Sequence, residues 1–261
     1  MQAGASKRQE TKGLSGQSET GWTRDLLDSP HDTPDKARRV RSMFNAIAPR
    51  YELVNRLFSG GRDAYWRRRA VQLSRAGSGD DVLDIASGTG DFARSFLKAN
   101  VRSVTGCDFA HEMLVRARAA AGDRARGWCE CDALCLPFSS GSFSVTSCAF
   151  GVRNFQRLEV GLAEMFRVLR PGGRCVILEF SEPGNAIFRG LYSLYANRLM
   201  PIAATLVSGD KSGAYRYLPR SVVSFATVGT VCELLKDAGF ARVSTTPLTL
   251  GVVTVYVATR E

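Results

Sequence analysis

One short stretch holds the residues best suited to bind a ligand: Val82-Leu83-Asp84-Ile85-Ala86-Ser87-Gly88-Thr89-Gly90-Asp91. Its apolar half predicts a buried strand, and its small residues predict a tight turn that opens a helix at Asp91. Because Gly88 and Gly90 have no Cβ, a ligand can lie against their backbone. Doubly wound folds bind nucleotides at such a turn, although an ordinary strand–helix turn is the alternative. The stretch is neither a Walker A loop nor a full G-x-G-x-x-G pattern.

Acidic residues close the next two predicted strands. Asp108 ends the second strand, where a carboxylate accepts hydrogen bonds from a ribose diol; a helix N-cap is the structural alternative, and the two roles are compatible. Asp132-Ala133 ends the third strand, where the carboxylate or the adjacent backbone is placed to meet an adenine amino group. A plain loop acid is the alternative there.

A regular alternation of strand and helix patterns surrounds these residues. Helices are predicted at 91–99, 111–120, 157–169 and 228–238. Strands are predicted at 81–86, 103–108, 127–132, 143–149 and 174–180, followed by β-rich runs at 241–246 and 252–259. The pattern predicts an α/β fold with a doubly wound, mostly parallel seven-stranded sheet and helices on both faces. The last two strands are joined by a short loop, so they are predicted to form an antiparallel hairpin at the C-terminal edge.

The remaining segments are predicted to extend this single domain, residues 37–261. Residues 1–36 are polar and rich in Gly, Ser, Gln and Lys, which favours a disordered N-terminal arm. Residues 183–226 interrupt the alternation and carry many aromatic and apolar side chains, so they are predicted to be a substrate or lid insertion.

Lid helices are predicted over residues 37–75. Apolar residues at helical spacing predict two short helices that Pro49 separates. A basic amphipathic helix is predicted over 63–75, and its inward side chains are Trp66, Ala70, Val71 and Leu73.

Composition narrows the class of protein. The net charge of +10 admits an anionic partner, either nucleic acid or a membrane surface, with a solvated basic surface as the alternative. Seven cysteines, an odd number, indicate reduced thiols in a reducing compartment. The spacing Cys129-x-Cys131-x-x-x-Cys135 does not predict a metal site, because a second ligand pair is missing. With neither a bilayer-spanning apolar run nor a secretory signal, a cytoplasmic location is expected.

The turn after the first predicted strand and several later stretches together resemble one class of enzymes. Asp84-x-Ala86-x-Gly88-x-Gly90 resembles the cofactor turn of class I S-adenosylmethionine-dependent methyltransferases, many of which have Gly in place of Ala86. Leu136-Pro137-Phe138, Ser142-Phe143 and the run 167–173 resemble later landmarks of the same class in the same order.

Three motifs resemble one family within that class, the ubiquinone/menaquinone biosynthesis C-methyltransferases. They are Met43-Phe44-x-x-Ile47-Ala48-x-Arg50-Tyr51-Glu52-x-x-Asn55, Ala149-Phe150-Gly151-Val152-Arg153-Asn154 and Glu179-Phe180-Ser181-x-Pro183. Tyr215-x-Tyr217-Leu218 and Gly251-Val252-Val253 add to the resemblance, which runs from about residue 38 to 259. It implies S-adenosylmethionine-dependent methylation of a ring carbon on a polyprenylated quinol. Demethylmenaquinol is the favoured substrate, and the benzoquinol of ubiquinone biosynthesis is the alternative.

The resemblance also implies site residues. The cofactor-binding set is Asp84, Ala86, Gly88, Thr89, Gly90, Asp108, Asp132, Ala133 and Ala149; family members often have Ser at the last position. The catalytic set is Arg153, Asn154 and Tyr51. In-line methyl transfer needs no metal or covalent nucleophile, so these side chains would align the quinol and assist loss of its hydroxyl proton. A salt bridge is the alternative for Arg153, and a core aromatic is the alternative for Tyr51.

The expected partners follow from the substrate. A prenylated quinol stays in lipid, so contact with an anionic membrane surface is expected through Arg62, Arg67, Arg68, Arg69 and Arg75. An apolar tunnel for the prenyl tail is expected from Phe188, Tyr192, Tyr195, Leu199 and Met200, with core packing or a homodimer interface as the alternatives. Two rival functions remain, a nucleic-acid methyltransferase and a non-catalytic methyltransferase-like partner protein. Nucleic acid is not an expected partner, since no added binding module is present.

Overall fold

The structure is a computed structural model, and it describes residues 21–184 and 213–261. Labels below follow chain order within those two ranges. The helices are α1 Arg24–Asp28, α2 Lys36–Ile47, α3 Tyr51–Ser59, α4 Asp63–Ser74, α5 Asp91–Lys98, α6 His111–Ala121, α7 Leu158–Arg167, α8 Ala214–Val223 and α9 Val228–Asp237. The strands are β1 Asp81–Ile85, β2 Ser103–Asp108, β3 Gly127–Glu130, β4 Phe143–Ala149, β5 Leu169–Phe180, β6 Arg242–Leu248 and β7 Val253–Thr259.

Within the described ranges the strands form one seven-stranded sheet in the order β3-β2-β1-β4-β5-β7-β6. The first five strands are parallel, β7 runs antiparallel to β5, and β6 pairs antiparallel with β7. The predicted fold class and C-terminal edge hairpin are therefore confirmed. The strand order reverses between β1 and β4, and the carboxyl ends of these strands flank the crevice where such sheets bind ligands.

One strand boundary differs from the sequence prediction. β5 begins at Leu169 instead of residue 174, and Phe143 pairs with Leu169 before the register shifts. Pro171-Gly172-Gly173 therefore lies inside an irregular strand. Gly172 has a φ of +75°, which favours glycine and lets the chain kink without leaving the sheet.

Apolar residues cover both faces of the sheet. α4 and α5 pack on one face through Trp66, Ala70 and Phe96, and α7 and α9 pack on the other through Leu162 and Leu235. A third cluster joins the N-terminal helices to α6 and α8. The N-terminal helices are thus held as part of the core and reach over the carboxyl edge of the strands.

The predicted disordered arm is wrong for residues 21–36, while residues 1–20 lie outside the described ranges. Trp22 is 3% exposed and stacks on Tyr217 of α8 with ring centroids 4.2 Å apart. Leu27, in α1, is also buried in the third cluster. These few apolar side chains suffice because α8, a distant part of the chain, supplies the surface that they cover.

The segment predicted to form lid helices is helical, with α2, a single 3-10 turn at Ala48–Arg50, α3 and then α4; the lid role stays a prediction. Trp66, Ala70 and Val71 of α4 are buried. The prediction that Arg67 belongs to a basic surface is wrong, because Arg67 is only 5% exposed. The other arginines of that predicted surface are exposed: Arg62, Arg68, Arg69 and Arg75.

The predicted insertion is described only in part. The apolar residues proposed to line a prenyl tunnel, Phe188, Tyr192, Tyr195, Leu199 and Met200, lie outside the described residues. No single helix in the described ranges is long and apolar enough to cross a bilayer. Arg216–Val223 and Val228–Asp237, bent by 74°, reach that length and composition only as a pair.

Candidate active site

In the turn after β1, other groups pack closely against the backbone of the glycines. Gly88 and Gly90 have φ values of +56° and +82°, and Gly90 N donates to Ser87 O at 2.9 Å. A Cβ on Gly90 would lie 2.7 Å from the Trp128 ring, so the residue has no room for a side chain. Ala86 also adopts a left-handed φ, +51°, which is costly for a residue with a Cβ.

Two adjoining pockets open at the carboxyl edge of the sheet. The main pocket lies between the ends of β1, β2 and β4, the loop after β3 and the lid helices. Eight predicted site residues line it: Tyr51, Ala86, Gly88, Asp108, Asp132, Ala133, Ala149 and Asn154. The side pocket lies on the other side of Gly88, where Asp84, Thr89, Asp91 and Arg67 line it. Gly90 and Arg153 line neither pocket.

Three polar side-chain atoms beside the turn have no hydrogen-bond partner among the described residues. They are Asp84 Oδ2, Ser87 Oγ and Thr89 Oγ1, and each atom is buried. Asp84 is fully buried, and its Oδ1 accepts a hydrogen bond from Ser147 at 2.7 Å. Because buried polar atoms are normally satisfied, this group indicates a polar ligand at the turn.

Asp108 holds the turn and faces the main pocket. Its Oδ2 accepts from Gly88 N and its Oδ1 from Ala110 N, both at 2.8 Å. Asp108 therefore lines the pocket as predicted but does not cap α6, whose N-cap residue is Ala110 with no side-chain capping bond. Asp132 is exposed, and its Oδ1 accepts from Leu134 N at 2.9 Å, which shapes the loop beside the pocket.

Burial makes both central carboxyl groups weak acids. Desolvation raises the pKa of Asp84 to about 7, against the opposing hydrogen bond from Ser147. Desolvation likewise raises the pKa of Asp108 to about 6, against opposing backbone N–H groups such as those of Ala110 and Gly88. A ligand that donates hydrogen bonds to these carboxylates would favour their charged forms.

Arg153 lies behind the main pocket in a buried ion pair. It is 4% exposed, and its Nη1 donates to Glu179 Oε1 at 2.7 Å. Its Nε donates to Ser221 Oγ at 3.3 Å, and its guanidinium lies 5.5 Å from the centroid of the Phe180 ring. Burial is the largest single effect and lowers the pKa of Arg153, but the attraction and hydrogen bond of Glu179, together with Tyr217 and Tyr51, outweigh it and raise that pKa. The side chain therefore stays charged and cannot itself accept a proton.

Asn154 and Tyr51 both line the main pocket. Asn154 Oδ1 accepts from the buried Tyr217 hydroxyl at 3.0 Å, which fixes the amide. A Cβ on Gly88 would lie 3.8 Å from Tyr51 Cε1, so the ring closes over the turn. Burial raises the pKa of Tyr51, which keeps its hydroxyl neutral.

Arg67 is the residue that the sequence interpretation misplaced. Its Nη1 pairs with Asp63 Oδ2 at 2.6 Å and its Nη2 with Asp91 Oδ2 at 3.6 Å, and its guanidinium lies over the Phe150 ring. It brings a buried cation to the side pocket beside Thr89. The four-residue spacing from Asp63 was the one local signal of a paired arginine.

A family model matches residues 32–260 of this chain, and its description is the ubiE/COQ5 methyltransferase family. The match spans most of the chain and includes every predicted site residue. The chain belongs to the ubiE/COQ5 methyltransferase family. The predicted family and enzyme class are thus confirmed, which favours a methyltransferase over a non-catalytic partner protein.

Individual relatives agree with this assignment. A demethylmenaquinone methyltransferase of Thermus thermophilus is 45% identical over 223 residues, which cover 84% of this chain and 100% of that protein. A protein of the same name from Deinococcus radiodurans is 43% identical over 233 residues, or 88% of this chain and 96% of that protein. A solved S-adenosylmethionine-dependent methyltransferase of Thermotoga maritima has a TM-score of 0.59, covering 84% and 99% of the two chains. At 16% identity it shows the fold alone.

The site of this ubiE/COQ5 family member fits S-adenosylmethionine. The orphaned polar atoms of Asp84, Ser87 and Thr89 suit an amino acid moiety, and the Asp108 carboxylate suits a ribose diol. Gly88 leaves open backbone between these two groups. In the described residues, no three His, Cys, Asp or Glu side chains converge as a metal site would require.

Proposed function

We propose that this protein methylates a ring carbon of demethylmenaquinol, with S-adenosylmethionine as the methyl donor. The observation that carries the proposal is the relationship to demethylmenaquinone methyltransferases at 43–45% identity over nearly their whole length. The pocket supports it, because the polar groups needed by the donor lie beside a partly apolar space under the lid helices.

The donor supplies an activated methyl group on a sulfonium, so the protein has to bind and align it. In this proposal Asp108 accepts hydrogen bonds from the ribose, and Asp132 and Ala133 border the adenine. Ala86, Gly88 and Ala149 leave room for the donor between the two pockets, and Asp84 and Thr89 bind its amino acid end. Gly90 acts indirectly, because it shapes the turn against Trp128. Arg67, newly placed beside Thr89, offers a cation for the carboxylate of the donor.

The quinol would lie on the lid side of the main pocket. Asn154 and Tyr51 offer hydrogen bonds to its ring hydroxyls, because both line the pocket and both are neutral. Arg153 stays charged, so it stabilises the developing phenolate through the field of the buried pair or orients a water that removes the proton. Its lack of direct pocket exposure favours action through Asn154 and the loop backbone.

A direct assay tests this function. Purified protein is mixed with S-adenosylmethionine and reduced demethylmenaquinone in detergent, and mass spectrometry follows the added methyl group. Menaquinol should form, and Arg153→Ala should lower turnover much more than donor affinity, since its role is in the transition state. Methylation of the benzoquinol alone would identify the alternative substrate. If neither quinol is methylated, the proposed function fails.

Membrane contact is part of the proposal, with a corrected set of residues. Arg62, Arg68, Arg69 and Arg75 are exposed on or beside α4, and Tyr65 is 42% exposed among them. Anionic headgroups attract such a surface, so binding to anionic vesicles should rise with charged lipid and fall with salt. The double variant Arg68→Glu and Arg69→Glu should sediment less with vesicles than Lys98→Glu, on the exposed end of α5. Equal sedimentation would place the membrane surface elsewhere; a homodimer remains a separate prediction, tested by light scattering.

A further inference from the structure

Lys36, the first residue of α2, is a buried cation that the proposed chemistry does not use. It is 2% exposed. Its Nζ donates to Phe155 O at 2.6 Å and to Arg153 O at 3.0 Å, and it lies 3.2 Å from His31 Nδ1. An ammonium has three N–H groups, and these three acceptors satisfy all of them.

His31 continues the same network to α8. Its Nε2 lies 3.0 Å from the carbonyl oxygen of Ser221. Since that oxygen can only accept, His31 Nε2 must carry the proton and Nδ1 must accept from Lys36. The side chain of Ser221 in turn accepts from Arg153 Nε. Lys36 and His31 therefore hold the backbone of Arg153 and the residue that contacts its side chain.

A second set of contacts joins the same two segments. Ala37 N donates to Gln156 Oε1 at 2.9 Å, and Gln156 Nε2 donates to Thr33 O at 3.1 Å. Residues 33–37 are thus joined to the loop at residues 153–156 by two sets of hydrogen bonds. Asn154, which faces the main pocket, lies at the centre of that loop.

We propose that Lys36 and His31 are positioning residues, a lysine–histidine clamp that sets the loop carrying Arg153 and Asn154 for methyl transfer. The clamp rests on the proposed function for its catalytic consequence, but its effect on the loop does not. Neither Lys36 nor His31 lines the two pockets, so the clamp acts through the loop. The residues assigned to the donor lie outside this loop, so donor affinity should stay unchanged.

Charge states give the clamp a pH signature. Burial, and then repulsion by Arg153, lowers the pKa of Lys36 to about 8, with Asp32 opposing. Burial and Lys36 also lower the pKa of His31, with Asp32 and the Ser221 carbonyl opposing. Glu179 of β5 pairs with Arg153, and burial raises the pKa of Tyr217 of α8, so its phenol is neutral. Above about pH 8 Lys36 loses one donor, so turnover should fall there.

The test compares Lys36→Met, His31→Ala and His31→Gln with Lys98→Met, a substitution of an exposed lysine on α5. Hydrogen exchange of a peptide covering residues 152–156 is measured on the protein without substrate. Turnover, KM for the quinol and affinity for S-adenosylmethionine follow on the same samples. Lys36→Met and His31→Ala should speed exchange in this peptide and lower kcat about tenfold or more, with donor affinity kept. His31→Gln keeps an acceptor and a donor, so it should stay near wild type.

The outcomes separate the clamp from the proposed function. Unchanged exchange and kcat in Lys36→Met, or in His31→Ala if Lys36→Met does not fold, overturn the clamp. Faster exchange with unchanged kcat also overturns it, since the contacts are then only structural. If exchange rises but wild-type protein methylates no quinol, the loop contacts stand and the proposed function fails. In the wild-type protein, kcat should fall above about pH 8. If this fall is absent in His31→Ala or Lys36→Met, the result supports the clamp.

Discussion

At the scale of single residues, the site depends on carboxyl groups that the fold makes weak acids. Asp84 lies near the end of β1 and Asp108 is the last residue of β2, and the sequence alone placed both near the carboxyl edge of the sheet. It could not give their pKa values, which depend on how deeply other segments bury them. Nor could it show that Ala86 adopts a left-handed φ, because only the packed turn imposes that conformation.

Asp108→Asn should weaken binding of S-adenosylmethionine by about 1–3 kcal/mol, because a charged acceptor of ribose hydrogen bonds is lost. Calorimetry at pH 7.5 measures the change, and Asp123→Asn, at an exposed acid near the end of α6, is the matched control. Wild-type affinity should also decline below about pH 6, where Asp108 gains a proton that the ligand must displace. An Asp108→Asn affinity equal to that of the control would remove Asp108 from the donor site.

The raised pKa of Asp84 makes the free energy of unfolding depend on pH. Its pKa is about 7 in the fold and near 3.8 in the unfolded chain, so the folded state holds an extra proton between these values. The contribution of protonated Asp84 to the free energy of unfolding is therefore complete below about pH 4 and is lost as pH rises through 7. Asp84→Asn should raise the free energy of unfolding at pH 8 by about 1 kcal/mol or more, and by less at pH 5. Urea denaturation at both pH values checks this; a gain that is larger at pH 5 would contradict it.

At the scale of elements, the positions of the strands and lid helices could be predicted from the sequence. Which helix residues face inward could be predicted only in part. β2 and β4 have the predicted bounds, because alternating apolar patterns and turn residues bracket them. Arg67 was predicted to face solvent, since basic residues on amphipathic helices usually do. It is buried because Asp63, one turn earlier, and Asp91, on α5, supply two carboxylates. The second pairing is a long-range contact with no local sequence signal.

Arg67→Met should lower affinity for S-adenosylmethionine by about tenfold or more, since a hydrogen bond to a charged group is lost. It should also destabilise the fold, because Asp63 would lose its paired cation and Asp91 would keep only Arg94 among the described residues. Arg68→Met changes the neighbouring exposed arginine and is the control for both effects. Calorimetry gives the affinity and thermal melting gives the stability. A variant that melts early but binds the donor normally would make Arg67 a purely structural residue.

At the scale of the whole molecule, the fold and the family followed from the sequence because several landmarks occur in order along one domain. The candidate site was largely predictable for the same reason: eight of its predicted residues line one pocket. The N-terminal segment was not predictable. Residues 21–36 are polar on average, yet Trp22 and Lys36 dock onto α8 and the loop after β4, and only the folded chain provides these surfaces.

The central claim, methylation of demethylmenaquinol, is tested most directly by quinone profiling of a strain that lacks the gene. We expect demethylmenaquinone to accumulate and menaquinone to be lost, and we expect the wild-type gene, but not an Arg153→Ala gene, to restore menaquinone. An unchanged menaquinone pool in the deletion strain would contradict the claim.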